Sequence, residues 1–256
     1  GVKELQKHVL RYPQFFATHA VARALRAGSD RGVVWHTQGS GKTALAFFLS
    51  RYLRDVYQQS GRIAEFFFIV DRLDLADQAA DEFIARGATV HRVESRKQLS
   101  DALKPGSTHF VTSDTDARGI QITVVNIQKF ADDPMAIEPP YGLNIQRVFF
   151  MDEAHRDYRP GGSFLASLMG ADRNAVKIAL TGTPLIEQKG GGNTRDIFGP
   201  YFHKYFYNQS IADGYTLRLL REGVKTEFRV KMRTIAENLK ELKGITDIHK
   251  VLEHPH

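Results

Sequence analysis

Residues 66–70 read Phe66-Phe-Phe-Ile-Val70, an apolar run without a polar break between Glu65 and Asp71. A strand with one wet face alternates apolar and polar residues, so an unbroken run of this kind predicts a strand buried on both faces. The central strands of a sheet covered by helices on both sides have that environment. Similar short runs recur at Val33-Trp35, Thr89-Val93, Phe110-Thr112, Ile122-Ile127, Val148-Met151 and Lys177-Leu180. Between several of them, as in Ala44-Tyr57 and Leu73-Ala85, apolar residues fall three and four apart, the period of an amphipathic helix. Strands alternating with helices predict an α/β fold with a parallel sheet. Ligands in such sheets sit at the carboxyl ends of the strands.

The chain has 256 residues, 42% of them hydrophobic, enough for one sizeable core and a smaller attached piece. A change of texture sets the expected boundary near residue 222: a domain over 1–222, then a linker or the start of a following region over 223–256. In that extension Phe228, Val230 and Met232 alternate with charged residues, which predicts a short strand. Thr234-Ile-Ala-Glu237 has the pattern of a capping box and predicts a helix from there, with Gly244 as its stop. Gly190-Gly-Gly-Asn193 reads as a loop.

Cysteine is absent, which excludes a disulfide framework and a thiolate metal site, and the ten histidines lack metal-ligand spacing. The formal charge of +6 favours polyanionic partners without requiring them. No run approaches the roughly 18 apolar residues of a membrane span, and the start has no secretory signal, so the expected location is the cytoplasm. The chain is expected to be part of something longer.

The chemistry-bearing stretch is His36-Thr-Gln-Gly-Ser-Gly-Lys-Thr43, between an expected strand and an expected helix. In that context backbone N–H groups converge on an anion at a helix N-terminus. Gly39 and Gly41 permit tight turns and close approach, and Ser40 completes the loop. Lys42 would reach the β- and γ-phosphates of a nucleotide, and the Thr43 hydroxyl would ligate Mg²⁺. His36 stands where the strict pattern has its first glycine, which argues against the kinase and small-GTPase type but spares the anion-binding half.

A second motif supplies what this loop lacks. Val148-Phe-Phe-Met151 runs into Asp152-Glu-Ala-His155, so two carboxylates emerge where a buried strand ends. Asp152 can serve the metal while Glu153 orients or deprotonates an attacking water. Loop and carboxylates together predict ATP hydrolysis.

With Thr181-Gly-Thr183-Pro184 following in order, the chain resembles the first RecA-like motor domain of superfamily 2 helicases. The wording of these motifs, together with Ile69-Val-Asp-Arg-Leu-Asp-Leu-Ala-Asp-Gln78, looks more narrowly like the motor subunit of type I restriction enzymes, the R or HsdR subunit. The likeness runs from residue 11 to about 215 and takes in Ser210-Ile-Ala-Asp-Gly214. It implies a P-loop NTPase that pumps double-stranded DNA with ATP before distant cleavage, in a complex with methyltransferase and specificity subunits. It also implies that Gln14 reads adenine, that His155, Thr181 and Thr183 couple hydrolysis to movement, and that Arg72, Asn126 and Gln128 touch DNA. Val125-Asn-Ile-Gln128 departs from the Thr-Thr-Ile-Gln-like wording of the family. Two alternatives stay open: another DEAH-type DNA or RNA helicase, and a non-catalytic ATP-binding module.

Overall fold

The computed structural model describes residues 7–103, 119–127, 144–153, 172, 174–184, 194–218, 231, 233–235, 237 and 238. The chain divides into two compact units, Gly1–Thr216 and Leu217–His256. In the first unit, seven parallel strands form one sheet. They are β1 Arg31–His36, β2 Ile63–Val70, β3 Ala88–Val93, β4 Ile120–Asn126, β5 Ile145–Asp152, β6 Val176–Thr181 and β7 Tyr201–Tyr205. The spatial order is β3-β4-β2-β5-β6-β1-β7. The helices are α1 Tyr12–Arg26, α2 Lys42–Gln59, α3 Leu73–Ala85, α4 Arg96–Ala102, α5 Thr194–Phe198 and α6 Tyr207–Ala212.

The apolar run that predicts burial on both faces has it. Phe66, Phe68 and Val70 join a core with Leu45 and Leu49 of α2 and Ala80 and Phe83 of α3. Phe67 and Ile69 point the other way, into a core with Leu99 of α4 and Phe198 of α5. Successive strand side chains alternate between faces, so the run serves two cores at once. Each of its residues is at most 2% exposed. The three central phenylalanines each contribute roughly 2–3 kcal/mol of burial.

Most elements lie where periodicity puts them, and α3 coincides with the stretch read from spacing. β7 is an addition. Tyr201-Phe-His-Lys-Tyr205 pairs with β1 along the sheet edge, with a register shift between Val33 and Val34. Its burial is partial and its polar residues break the apolar signature, so pattern reading passes over it.

In the second unit Lys231, residues 233–235 and residues 237–238 are helical. Arg233, just before Thr234, is itself helical, so Thr234 does not open the helix, and the capping-box reading of that residue is corrected. Phe228, Val230, Met232 and Gly244 lie outside the described residues, as do Phe110–Thr112 and the 190–193 stretch.

Candidate nucleotide site

The expected phosphate loop occupies the turn from β1 to α2, at the carboxyl end of the sheet. Gly41 is the N-cap of α2 with φ 80°, a left-handed conformation that L side chains rarely adopt. A Cβ there would also lie 2.6 Å from the Gln14 amide nitrogen and would displace that side chain from the loop, but it is the left-handed backbone that calls for glycine. Gly39 has φ 82°. Ser40 is fully buried, and its hydroxyl makes no hydrogen bond within the described residues. Lys42 and Thr43 open α2, both half-buried.

His36 proves to be the last residue of β1, with its side chain fully buried. Its Nε2 lies 2.8 Å from Nδ1 of His203 on β7, so the ring ties the start of the loop to the sheet edge. Burial, then the positive charges that His203 and Lys42 can bring, push its pKa down to about 3. The ring is neutral at physiological pH. A glycine at this position could not make this contact.

β5 and β6 deliver the second half of the site. Asp152 pairs with Leu180 in the ladder, and the Glu153 amide extends that pairing by donating to the Leu180 carbonyl at 2.9 Å. Glu153 has φ 50°, the sole positive value among the described non-glycine residues. Such strain persists only where the surroundings over-determine it, and it collects at functional sites. Here the surroundings are visible. Glu153 Oε1 lies 3.3 Å from Lys42 Nζ and accepts the Gly182 amide at 3.0 Å, while Oε2 accepts the Thr181 hydroxyl at 2.8 Å.

Three motifs remote in sequence thus meet on one carboxylate. Thr181 also accepts the Thr183 amide, at 3.0 Å. Gly182 approaches the phosphate loop so closely that a Cβ would lie 3.2 Å from the Gln38 nitrogen. Its carbonyl accepts the Trp35 indole N–H at 3.2 Å, a contact that sequence motifs do not signal.

Asp152 Oδ1 is buried with no hydrogen-bond partner among the described residues. Burial pushes its carboxyl up to about 6 against the pull of Lys42, and the negative charges of Glu153, Asp71 and Glu82 push the same way as burial. A hard divalent cation would relieve both the unpaired oxygen and the repulsion, so the residues present fit one. No group of three or more His, Cys, Asp or Glu among the described residues could hold a metal by itself. That suits Mg²⁺, which takes one or two carboxylates and completes its shell with water and phosphate oxygens.

Gln14 is 2% exposed and packs under the loop. Its amide nitrogen donates to the carbonyls of Ser40 at 3.3 Å and Gly41 at 3.0 Å, and its Oε1 accepts the Arg11 amide at 2.9 Å. A cavity of about 340 Å³ adjoins it, lined by Val9, Arg11, Gln14, Gly41, Phe48 and Arg86 among others.

The residues expected to touch DNA are not gathered in this way. Arg72 is an exposed N-cap of α3 whose guanidinium is held by Asp74 at 2.8 and 3.1 Å. Asn126 ends β4 and is only 4% exposed, so it presents little surface to a strand. Gln128 and His155 lie outside the described residues.

A parallel sheet with a glycine loop after β1, and a carboxylate pair at the end of β5 whose Glu153 touches the loop lysine, defines a RecA-like P-loop NTPase domain. The chain belongs to the SWI2/SNF2 ATPase family, whose model matches residues 13–250. It is 31% identical over 224 residues to the type I restriction enzyme SauCOLORF180P endonuclease subunit of Staphylococcus aureus strain COL, covering 83% of this chain and 22% of that protein. It is 29% identical over 220 residues to the corresponding SsaAORF53P subunit of Staphylococcus saprophyticus, again covering 83% and 22%. The chain thus spans about a fifth of the length of these curated relatives. Among solved structures, its fold matches a nuclease-deletion mutant of the type ISP restriction-modification enzyme LlaGI in complex with a DNA substrate mimic. The TM-score is 0.56 at 14% identity, covering 96% of this chain and 24% of that one. No described helix is long and apolar enough to cross a membrane.

Proposed function

We propose that the chain is the first motor domain of the R subunit of a type I restriction enzyme, hydrolysing ATP to pump double-stranded DNA before cleavage. The single observation that carries this reading is the Glu153 carboxylate, which touches Lys42, Thr181 and Gly182 together. Lys42 and the loop amides would hold the phosphates, and Glu153 would accept a proton from the attacking water or orient it. Thr43 and Asp152 would hold Mg²⁺, which when bound neutralises charge developing on the phosphoryl oxygens. The adenine is assigned to the cavity beside Gln14, whose Oε1 retains a lone pair for the exocyclic amine.

Thr181, which donates to Glu153, would sense whether that carboxylate is engaged with water or with the lysine. Together with Thr183 and His155 it would pass this state to bound DNA. Arg72 would exchange Asp74 for a backbone phosphate, and Asn126 and Gln128 complete the proposed strand contacts. The relatives' names, endonuclease subunits of type I restriction enzymes, support membership of a restriction complex. Methyltransferase and specificity subunits would be its partners there, the cytoplasm its location, and a second RecA-like domain would complete the ATP site.

The test is ATP turnover by the intact protein with duplex DNA, forked DNA and RNA. The reading expects stimulation by duplex without strand separation. Stimulation by RNA or forked DNA alone would move the chain to another DEAH-type helicase. Turnover that survives Glu153→Gln, or lacks any DNA response, would point to a regulatory nucleotide-binding module.

A further inference from the structure

The carbonyl groups of four successive loop residues, 38 to 41, each have a side-chain donor from outside the loop. Thr216 Oγ1 donates to the Gln38 carbonyl at 3.4 Å, Arg11 to that of Gly39 at 3.4 Å, and Gln14 to those of Ser40 and Gly41 at 3.3 and 3.0 Å. At the head of the loop the Thr37 amide donates to the Tyr205 carbonyl at 3.0 Å. In a trans peptide the C=O of one residue and the N–H of the next point in opposite directions. Fixing these carbonyls therefore fixes the direction in which the amides of Gly39, Gly41 and Lys42 face, which is what anion binding requires.

The donors come from two separate places, the start of α1 and the segment from β7 through Thr216. One carboxylate joins them. Asp213 Oδ2 accepts the hydroxyl of Tyr12, at the first residue of α1, and that of Tyr205, at the end of β7, the latter at 2.5 Å. The Tyr12 ring packs edge-on against Tyr205, with centroids 6.0 Å apart, and at a tilt against Tyr215 at 6.4 Å. The Arg11 guanidinium lies over Tyr215, 4.9 Å from its centroid. Thr216 is held by the Ser210 hydroxyl at 2.6 Å. Asp213 itself lies on the turn that closes α6, within the Ser210-Ile-Ala-Asp-Gly214 stretch that the ATP chemistry leaves without a role.

We infer that Asp213 is a positioning residue for the nucleotide site: by joining Tyr12 to Tyr205 it closes a clasp that holds the loop carbonyls in their anion-binding orientation. The inference rests on the ATP-site reading above. Asp213 touches no nucleotide; it acts through Arg11, Gln14, Tyr205 and Thr216.

The experiment compares the intact protein with its Asp213→Asn and Tyr12→Phe variants in two readouts. The first, without nucleotide, is amide hydrogen exchange of the 36–44 peptide. The clasp predicts severalfold faster exchange there in both variants, with the peptides of β2 and β5 unchanged. The second is turnover: the KM for ATP rises about fivefold in Asp213→Asn while kcat changes by less than twofold, reflecting lost charge-assisted hydrogen bonds. The double variant is no worse than Asp213→Asn alone, because both act through one carboxylate. Unchanged exchange in both variants overturns the clasp, as does a uniform loss of protection across the domain or a fall in kcat with KM intact. Failure of the parent protein to bind or hydrolyse ATP, with Lys42→Ala behaving identically, instead overturns the ATP-site reading and this assignment with it.

Discussion

Strand β5 carries a charge cluster at each end, and the two are built on opposite terms. At its start Arg147 is 4% exposed and fully engaged: it bonds Glu65 at 2.9 Å, Asp172 at 3.1 Å and the Leu103 carbonyl at 2.7 Å. Asp172 in turn accepts the amides of Asn174 and Ala175 at 3.1 and 2.9 Å. At its end, about 17 Å further on by strand rise, Asp152 keeps a buried oxygen with no hydrogen-bond partner among the described residues and Glu153 sits in strained backbone. The closed cluster has spent its donors and acceptors on the protein and serves the fold. The open one combines a buried carboxylate oxygen with strained backbone, and under the proposed function a ligand that brings cation and phosphate would complete it.

This contrast can be broken first at the closed end. Arg147→Ala would leave Glu65 and Asp172 buried without their cation, and about 3–5 kcal/mol of stability should go with it. Denaturant unfolding measures that loss, and the nucleotide affinity of the remaining folded protein should match that of the parent. A similar loss from Glu153→Gln would erase the distinction. Instead, Glu153→Gln and Lys42→Ala should each cut ATP turnover by roughly 10²-fold or more while moving the unfolding midpoint little, as removal of groups that act on the transition state does.

The His36 ring sharpens the comparison through pH. Its folded pKa lies near 3, below the ordinary 6.5, so below pH 6.5 the unfolded chain binds a proton that the folded one does not. The stability it contributes is complete above 6.5 and declines as pH falls towards 3. Between 6.5 and 5 the loss is about 2 kcal/mol, and His36→Gln should remove that slope in urea titrations at stepped pH. The smallest effect belongs to Arg72, whose pair with Asp74 is exposed. Arg72→Ala should change stability by under about 1 kcal/mol. It should lower DNA stimulation of the intact protein most at low salt, and equal stimulation at every salt concentration would remove Arg72 from the proposed DNA surface.

Much of this arrangement is legible in the chain itself. Phe66–Val70 announces a doubly covered sheet, because no other common setting buries successive side chains on both faces of a strand. The loop at residues 36–43 and the carboxylates at 152–153 announce the two halves of the proposed ATP site, because their chemistry depends on residue type and on strand-end context. Spacing is silent about His203, Trp35, Tyr205 and Asp213. Trp35, His203 and Asp213 find partners in Gly182, His36 and Tyr12, far away in the chain, and β7 is too polar and too short to stand out.

Local pattern therefore determined β1 to β6, α2 and α3, the loop and the acidic pair, since each depends on a few neighbouring residues and their period. Tertiary structure decided that Glu153 would be the meeting point of Lys42, Thr181 and Gly182, and that Gln14 would hold the loop's own carbonyls. Strand order does this: with β6 between β1 and β5, three chain-distant strand ends emerge side by side. Hydrogen bonds as short as 2.8 Å then select which side chains face one another, a choice made by register and twist that no one-dimensional spacing encodes.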